Sequence, residues 1–275
     1  MDEPRGARRV ARYAVLVVVA VVVLTPVYVS LVGALKPGAR VLDYPRSLVP
    51  DSLTLETVRR AWSSGDLDRT MLNSALVAGA ITVGQLVTSV LAAYAFAFLR
   101  FPWKPFWFGL FVSTLMVPTE VTVLANHGTV SSLGWLDSYQ ALVVPFLATA
   151  LGTFLLRQVF LALPGDLRDA AAMDGLGHGR FLLQVAVPLA RPMLGALALF
   201  SFLSAWNQYL WPLLVTNDDE HRTVQLGLRS LASSNLDELN LVMAGTIIAA
   251  LPIFVVLLAF QRQLVRGLTA GAVKG

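Results

Sequence analysis

The chain has 275 residues, of which 56% are apolar and only 14% charged, with a formal net charge of +4 and no cysteine. A soluble domain of this length would be about 45–50% apolar and about 25% charged, so the composition excludes an ordinary soluble core and fits a chain solvated by lipid. Without cysteine there are no disulfides, thiolate zinc centres or cysteine nucleophiles. The basic excess, which in a soluble protein would suggest nucleic acid, falls between apolar blocks and not in one patch, so no nucleic-acid partner is expected.

A helix crossing ~30 Å of hydrocarbon needs about 20 apolar residues. Six stretches qualify, at 13–35, 71–99, 106–125, 139–160, 193–215 and 241–260. The first follows Arg5, Arg8, Arg9 and Arg12 as a signal peptide's apolar run would, but it exceeds the ~7–15 residues of such a run and reads as a retained span. Basic residues set the orientation. With the N-terminus inside, the cytoplasmic segments collect Arg100, Lys104, Arg157, Arg168, Arg180, Arg191, Arg262, Arg266 and Lys274 besides the first four. The external loop near 127–138 has no Lys or Arg, and the external loop 217–240 has only Arg222 and Arg229. The expectation is an all-α membrane protein of six helices with both termini cytoplasmic. It forms a single transmembrane domain over 1–275, with a short N-terminal tail at 1–12 and a cytoplasmic loop at 161–192. His127, His178 and His221 lack ligand spacing and read as polar loop residues, so no metal site is expected.

The loop after the fourth stretch reads as structured. Pro164-Gly165 stops the preceding span, and Asp166 can cap a new helix with Asp169 three residues on, as in a capping box. Ala170, Ala171 and Ala172 favour helix, and Gly175 suits its C-terminal end. A second short helix, about 180–187, should end before Pro188. The alanine face is too small to build a core of its own. It suits docking into a groove on another protein, or resting on lipid headgroups.

The run Asp169-Ala170-Ala171-x-x-Asp174-Gly175, followed by Val185-x-Val187-Pro188, resembles the E-A-A-x-x-D-G…I-x-L-P signature of ATP-binding-cassette (ABC) importer permeases. Asp169 stands for Glu, Leu176 for the usual Ala, and Val185 and Val187 for Ile and Leu. Asn73-Ser74, the run from Trp206 to Pro212 and the tail 267–275 are similar to the carbohydrate-uptake, maltose-permease-like class. Met116–Val121, Leu136–Tyr139 and Phe154–Gln158 are most similar to its glycerol-3-phosphate or glycerophosphodiester branch. The resemblance implies that Asp169, Ala170, Ala171, Asp174, Gly175, Phe181 and Pro188 form a coupling element docked on an ATPase. It also implies a homologous second permease, two ATP-binding subunits and an extracytoplasmic solute-binding protein, in a bacterial inner membrane. The chain has no G-x-x-x-x-G-K-[ST] loop. It is therefore expected to be no enzyme and to hold no cofactor, with ATP and Mg bound by the partner ATPase.

Polar groups inside spans are costly and usually face the bundle interior. Asn207, Gln208 and Tyr209 suit hydroxyl-rich solutes, because amides both donate and accept; equally, they could hydrogen-bond neighbouring helices. Glu120, just after Pro118, suits gating or pairing with a cation of the second permease. Trp211 and Tyr139 suit anchoring at the membrane boundary, and Asn73 and Gln85 suit packing. Within this class a di- or oligosaccharide is the alternative solute. An ion-coupled secondary transporter is the more distant reading, but such proteins favour repeats and mid-membrane acids, and neither is found here. A membrane enzyme would need paired acids or a His–Asp pair near the bilayer, and a channel or scaffold would have no use for the docking helix.

Overall fold

Prolines decide where the apolar stretches break. The computed structural model describes residues 5–37, 52–234 and 238–269, and all regular structure among them is helical. Residues 1–4 of the expected tail, 38–51, 235–237 and the terminal 270–275 lie outside the described residues. Three helices are continuous and apolar enough to span a bilayer: α1 (Arg5–Leu35), α3 (Leu67–Phe98) and α14 (Leu239–Thr269). A short helix, α2 (Glu56–Ser64), lies between the first two in sequence.

The remaining stretches are bent. α4 (Lys104–Ser113), prolonged by a 3-10 turn to Met116, meets α5 (Thr119–Ser132) at 103° across Val117-Pro118. α6 (Tyr139–Val143), prolonged through Phe146, meets α7 (Ala150–Leu161) at 42°. α8 (Gly165–Met173) is followed by α9 (His178–Phe181), a π turn (Leu182–Ala186), α10 (Val187–Leu189) and, after a 79° bend, α11 (Arg191–Trp206). α12 (Leu210–Val215) and α13 (Val224–Ser234) complete the order.

Three sequence expectations are corrected here. The stretch 106–125 is not one straight helix, because Pro118 lacks an N–H and starts α5 afresh, so the expected loop residue His127 is helical. The stretch 193–215 divides at 207–209, because the Pro212 ring excludes the carbonyl of residue 208 from a continuous helix. Pro188 does not end the second loop helix. The wider π turn before it accommodates the ring, and the chain stays helical to Leu189.

Each break frees backbone carbonyls that lipid cannot satisfy. In the unit built from 69–226 and 252–275, polar residues of α3 satisfy several of them. Gln85 Nε2 donates to Phe146 O at 2.9 Å and Thr88 Oγ1 to Leu147 O at 2.7 Å, where the first helix of the 42° bend ends. Nearer the start of α3, Asn73 Nδ2 donates to Glu220 O and Arg222 O at 2.7 and 3.0 Å, while Ser74 Oγ accepts from Val224 N–H. Asn73 and Gln85 are thus packing residues, as expected. Trp211 is not a boundary anchor but is buried, its Nε1 donating to Ala141 O at 2.9 Å. Tyr139 stays exposed at 38%, its hydroxyl donating to Asn73 Oδ1 at 2.8 Å. At the far end of α3, Lys104 Nζ donates to Ala97 O and Leu99 O, and Arg157 Nε to Phe96 O. Two cations thus sit on the negative end of the helix dipole, with the Arg157 guanidinium 4.1 Å over the Phe108 ring. Close backbone approach accompanies these bonds. A side chain on Gly84 would start 2.3 Å from Leu147, and one on Gly152 2.5 Å from Ser89 Oγ.

In the unit built from 1–68 and 227–251, the end of α1 is held in the same way. Lys36 O accepts from Thr57 Oγ1 at 2.8 Å and from Asn240 Nδ2 at 3.2 Å, and Leu35 O accepts from Thr54 N–H. Ala61, Leu67, Leu231, Leu241 and Ala244 are fully buried around these bonds, and Arg60 pairs with Glu238 at 2.8 Å. Most of α1, by contrast, keeps its valines exposed, including Val15, Val19 and Val22, a surface suited to lipid.

Gln85→Leu keeps the volume of the side chain and strands Phe146 O. It should lower stability by about 1–2 kcal/mol, read as a lower melting temperature of the protein in detergent. An unchanged melting temperature would show that this bond does not hold the bend.

Candidate functional site

α8 starts without the side-chain cap that was expected. Pro164 occupies the N-cap position, and Asp166 lies within the first turn, where its charge favours the positive end of the dipole. Its other end is a Schellman turn. Leu176 N–H donates to Ala171 O at 2.9 Å and Gly175 N–H to Ala172 O at 3.1 Å. Gly175 takes φ +73°, the left-handed conformation that glycine adopts without steric cost. The expected end of this helix is therefore the observed one.

The predicted coupling residues divide between two faces. Asp169, Ala170, Asp174 and Gly175 are exposed, as is Met173, at 90%. Ala171 and Phe181 are buried in a cluster with Tyr94, Leu156, Phe160, Leu182, Ala186 and Leu197, and Pro188 is half-buried. Arg168 lies 3.8 Å from Asp169, a loose pair on the exposed side. A cleft of about 630 Å³ opens between α8–α9 and the end of α3, with Tyr94, Arg100, Arg168, Ala171 and Phe181 in its lining. Tyr94, not singled out from the sequence, joins α3 to His178, which was read only as a polar loop residue: Tyr94 Oη and His178 Nδ1 are 2.8 Å apart. The available signal was a lone hydroxyl near the end of an apolar span.

The predicted solute-path residues fall in the break between α11 and α12. Asn207 and Tyr209 are exposed and Gln208 is half-buried. Asn207 Nδ2 donates back to Leu203 O at 2.8 Å, and Gln225 Nε2 lies 3.4 Å from Asn207 Oδ1, an amide neighbour that sequence spacing did not reveal. Trp206 Nε1 and Gln208 Oε1 are buried without a hydrogen-bond partner among the described residues. Glu120 is exposed in the first turn of α5 and has no ion-pair partner among the described residues. Among the described residues, no hydrogen bond or ion pair joins Glu120 to the 207–209 break.

The segment 216–223 is organised by Asp137, itself at φ +58°. Its carboxylate accepts from the backbone N–H groups of Asn217 and Asp218 and from the Asn217 side chain. The Asn217 backbone bond, followed by those from Asp218 and the Asn217 side chain and by nearby His221, holds the carboxyl below its usual pKa, against the opposing effect of burial. Asp218, Glu220 and His221 bring ligand-type atoms within 4.8 Å of one another. Asp218 is already paired with His221 at 3.2 Å, and an exposed acidic group of this kind is not by itself a metal site.

With this geometry in hand, comparison identifies the family. Residues 67–270 match the family described as binding-protein-dependent transport system inner membrane component, and the chain belongs to it. It is an inner-membrane permease subunit of an ABC importer and not an enzyme. It is 37% identical over 276 residues to the sn-glycerol-3-phosphate transport system permease protein of Yersinia pestis bv. Antiqua (strain Antiqua), with 98% of each chain covered. It is 36% identical over 277 residues to the protein of the same description from Brucella abortus (strain 2308), again with 98% of each covered. Among solved structures, its fold is similar to that of a bacterial ABC transporter involved in the import of the acidic polysaccharide alginate. The TM-score is 0.83 at 21% identity, covering 95% of this chain and 99% of that one.

The depressed Asp137 pKa has a definite pH signature. Its contribution is complete above the unfolded carboxyl's value of about 4 and is lost as pH falls through the lower folded value. Hydrogen exchange at Asn217 and Asp218, corrected for intrinsic rates, should accelerate in that acid range. Asp137→Asn should exchange faster already at neutral pH and show no acid step; an acid step that persists in the variant would assign it to another group.

Proposed function

We propose that this permease carries glycerol 3-phosphate or a glycerophosphodiester delivered by an external solute-binding protein. The observation that carries the choice of solute is the likeness, over 98% of the chain, to relatives named for sn-glycerol-3-phosphate transport. In this reading the three continuous helices and the three bent pairs make six spans. Both termini are cytoplasmic, and residues 1–275 act as one membrane domain. A homologous second permease, two ATP-binding subunits and the solute-binding protein complete the assembly. ATP and Mg belong to the ATP-binding subunits, and this chain holds no cofactor.

The exposed side of α8, with Asp169, Ala170, Asp174 and Gly175, docks on an ATP-binding subunit. Its small side chains let the partner backbone approach, and its carboxylates offer partners for Arg or Lys. Ala171, Phe181 and Pro188 face or lie within the packed side and hold the helix to the spans. The break at 207–209 contributes Asn207, Gln208 and Tyr209 to the solute path. In support, Asn207 and Tyr209 are exposed at this break, where an amide and a phenol can meet a polar solute. Glu120 repels a phosphate, so it serves the gate or a cation of the second permease. Solute moves when ATP and the loaded binding protein favour different states of the spans.

Three experiments test this reading. In mild detergent the wild-type chain should co-purify with a separate ATPase and a second permease, and an Asp169→Ala/Gly175→Val double variant should lose the ATPase. Gly175→Val alone strains the turn by about 1–2 kcal/mol and should uncouple ATP hydrolysis from transport, whereas Gly175→Asn, tolerant of the left-handed conformation, should retain more; normal transport in the valine variant would remove the docking role. Asn207→Ala should change transport of glycerol 3-phosphate relative to sugars while the complex still assembles. Loss of assembly would make Asn207 a packing residue.

A further inference from the structure

α8 has little of its own holding it to the membrane part of the chain. Ala171 is its one buried residue, and the cleft of about 630 Å³ leaves its inner side incompletely packed. The following helices supply the contact, through Phe181, Leu182 and Ala186. Such apolar contacts are non-directional and permit one surface to slide on another. A hydrogen bond is directional. Among the described residues, Tyr94 Oη to His178 Nδ1, at 2.8 Å, is the one side-chain hydrogen bond between the loop 164–190 and a span.

Both partners are placed to transmit force. Tyr94 is 6% exposed, and its ring is held between Phe98, at 5.1 Å, and Phe181, at 6.4 Å. His178 is the first residue of α9, immediately after the corner that carries Gly175. Packing gives this corner little purchase, since side chains started on Gly177 or Gly179 would meet nothing within 4 Å. From Tyr94, α3 runs without a break to Asn73, about 32 Å at 1.5 Å per residue. There Asn73 and Ser74 hold the segment 220–224 and Tyr139. A continuous helix is stiff along its axis, so one rod has a polar grip on the loop at each end.

We propose that Tyr94 is a positioning residue for transport: through His178 it ties the docking loop to α3, so that displacement of the loop moves the rod and, at its other end, the segment 217–224. This rests on the docking role given to α8. Tyr94→Phe keeps the ring contacts and removes only the bond.

The test uses the assembled complex of both permeases and the ATP-binding subunits in lipid nanodiscs, and it needs no solute. Hydrogen exchange of residues 217–224 is followed with and without ATP plus vanadate. In the wild type, nucleotide should change this exchange. In Tyr94→Phe and His178→Ala the nucleotide-free exchange should stay as in the wild type while the nucleotide response shrinks roughly three- to tenfold, as expected for one neutral hydrogen bond; His178→Gln, which keeps an acceptor, should recover part of it. A full response in Tyr94→Phe and His178→Ala, with the response lost in Gly175→Val, would overturn the role of Tyr94 alone. A full response in Gly175→Val as well would overturn the docking role and with it this inference. Altered nucleotide-free exchange in Tyr94→Phe would make the bond merely structural and also overturn the proposal.

Discussion

A helix that breaks inside an apolar medium leaves carbonyls that lipid cannot satisfy. The larger unit of this chain is organised around that constraint. α3 stays continuous, and its scattered polar side chains serve the breaks of its neighbours: Gln85 and Thr88 at the 42° bend, and Asn73 and Ser74 at the segment after α12. Its own C-terminal carbonyls are taken by Lys104 and Arg157. Carbonyls at the end of α1 are met by Thr54, Thr57 and Asn240 in the other unit by the same logic. The polar residues of these apolar helices are therefore placed largely by what their neighbours lack.

The same constraint explains what could be read from the sequence. Hydropathy finds α1, α3 and α14 as continuous stretches but omits the less apolar turns at their ends, up to eight residues at the start of α1 and nine at the end of α14. It runs through the other stretches without registering their bends, because Val117-Pro118 or Tyr139–Phe160 is as apolar as a straight span. The prolines were visible, but not their effect: Pro26 and Pro252 sit inside continuous helices, and Pro118 starts a new one. Pro188 shows a third outcome, since the π turn ahead of it absorbs the ring.

At the loop 164–190 the local rules were sufficient. Three alanines followed by an Asp-Gly pair specify a short helix closed by a left-handed glycine, and the Schellman bonds at Gly175 and Leu176 realise it. The loop could be read because its interactions are near in sequence. Tyr94 and His178 could not be paired in this way, since 84 positions separate them and neither has a local signature. The same holds for Gln225 beside Asn207 and for Asp137 beneath Asn217.

An anionic solute sharpens the question of charge. The break at 207–209 offers two amides and a phenol, which can bind hydroxyls and phosphate oxygens but cannot neutralise a phosphate. Arg157 and Lys104 are half-buried cations, and Arg157 Nε and Lys104 Nζ already serve the end of α3. Drawing either toward a solute would strand the Phe96, Ala97 or Leu99 carbonyl, a loss comparable to the hydrogen bond gained. Glu120 has the wrong sign. A glycerol phosphate passing this chain would therefore meet hydrogen-bond donors on this side of its path, and the compensating positive charge would have to come from the second permease or from water that the phosphate retains.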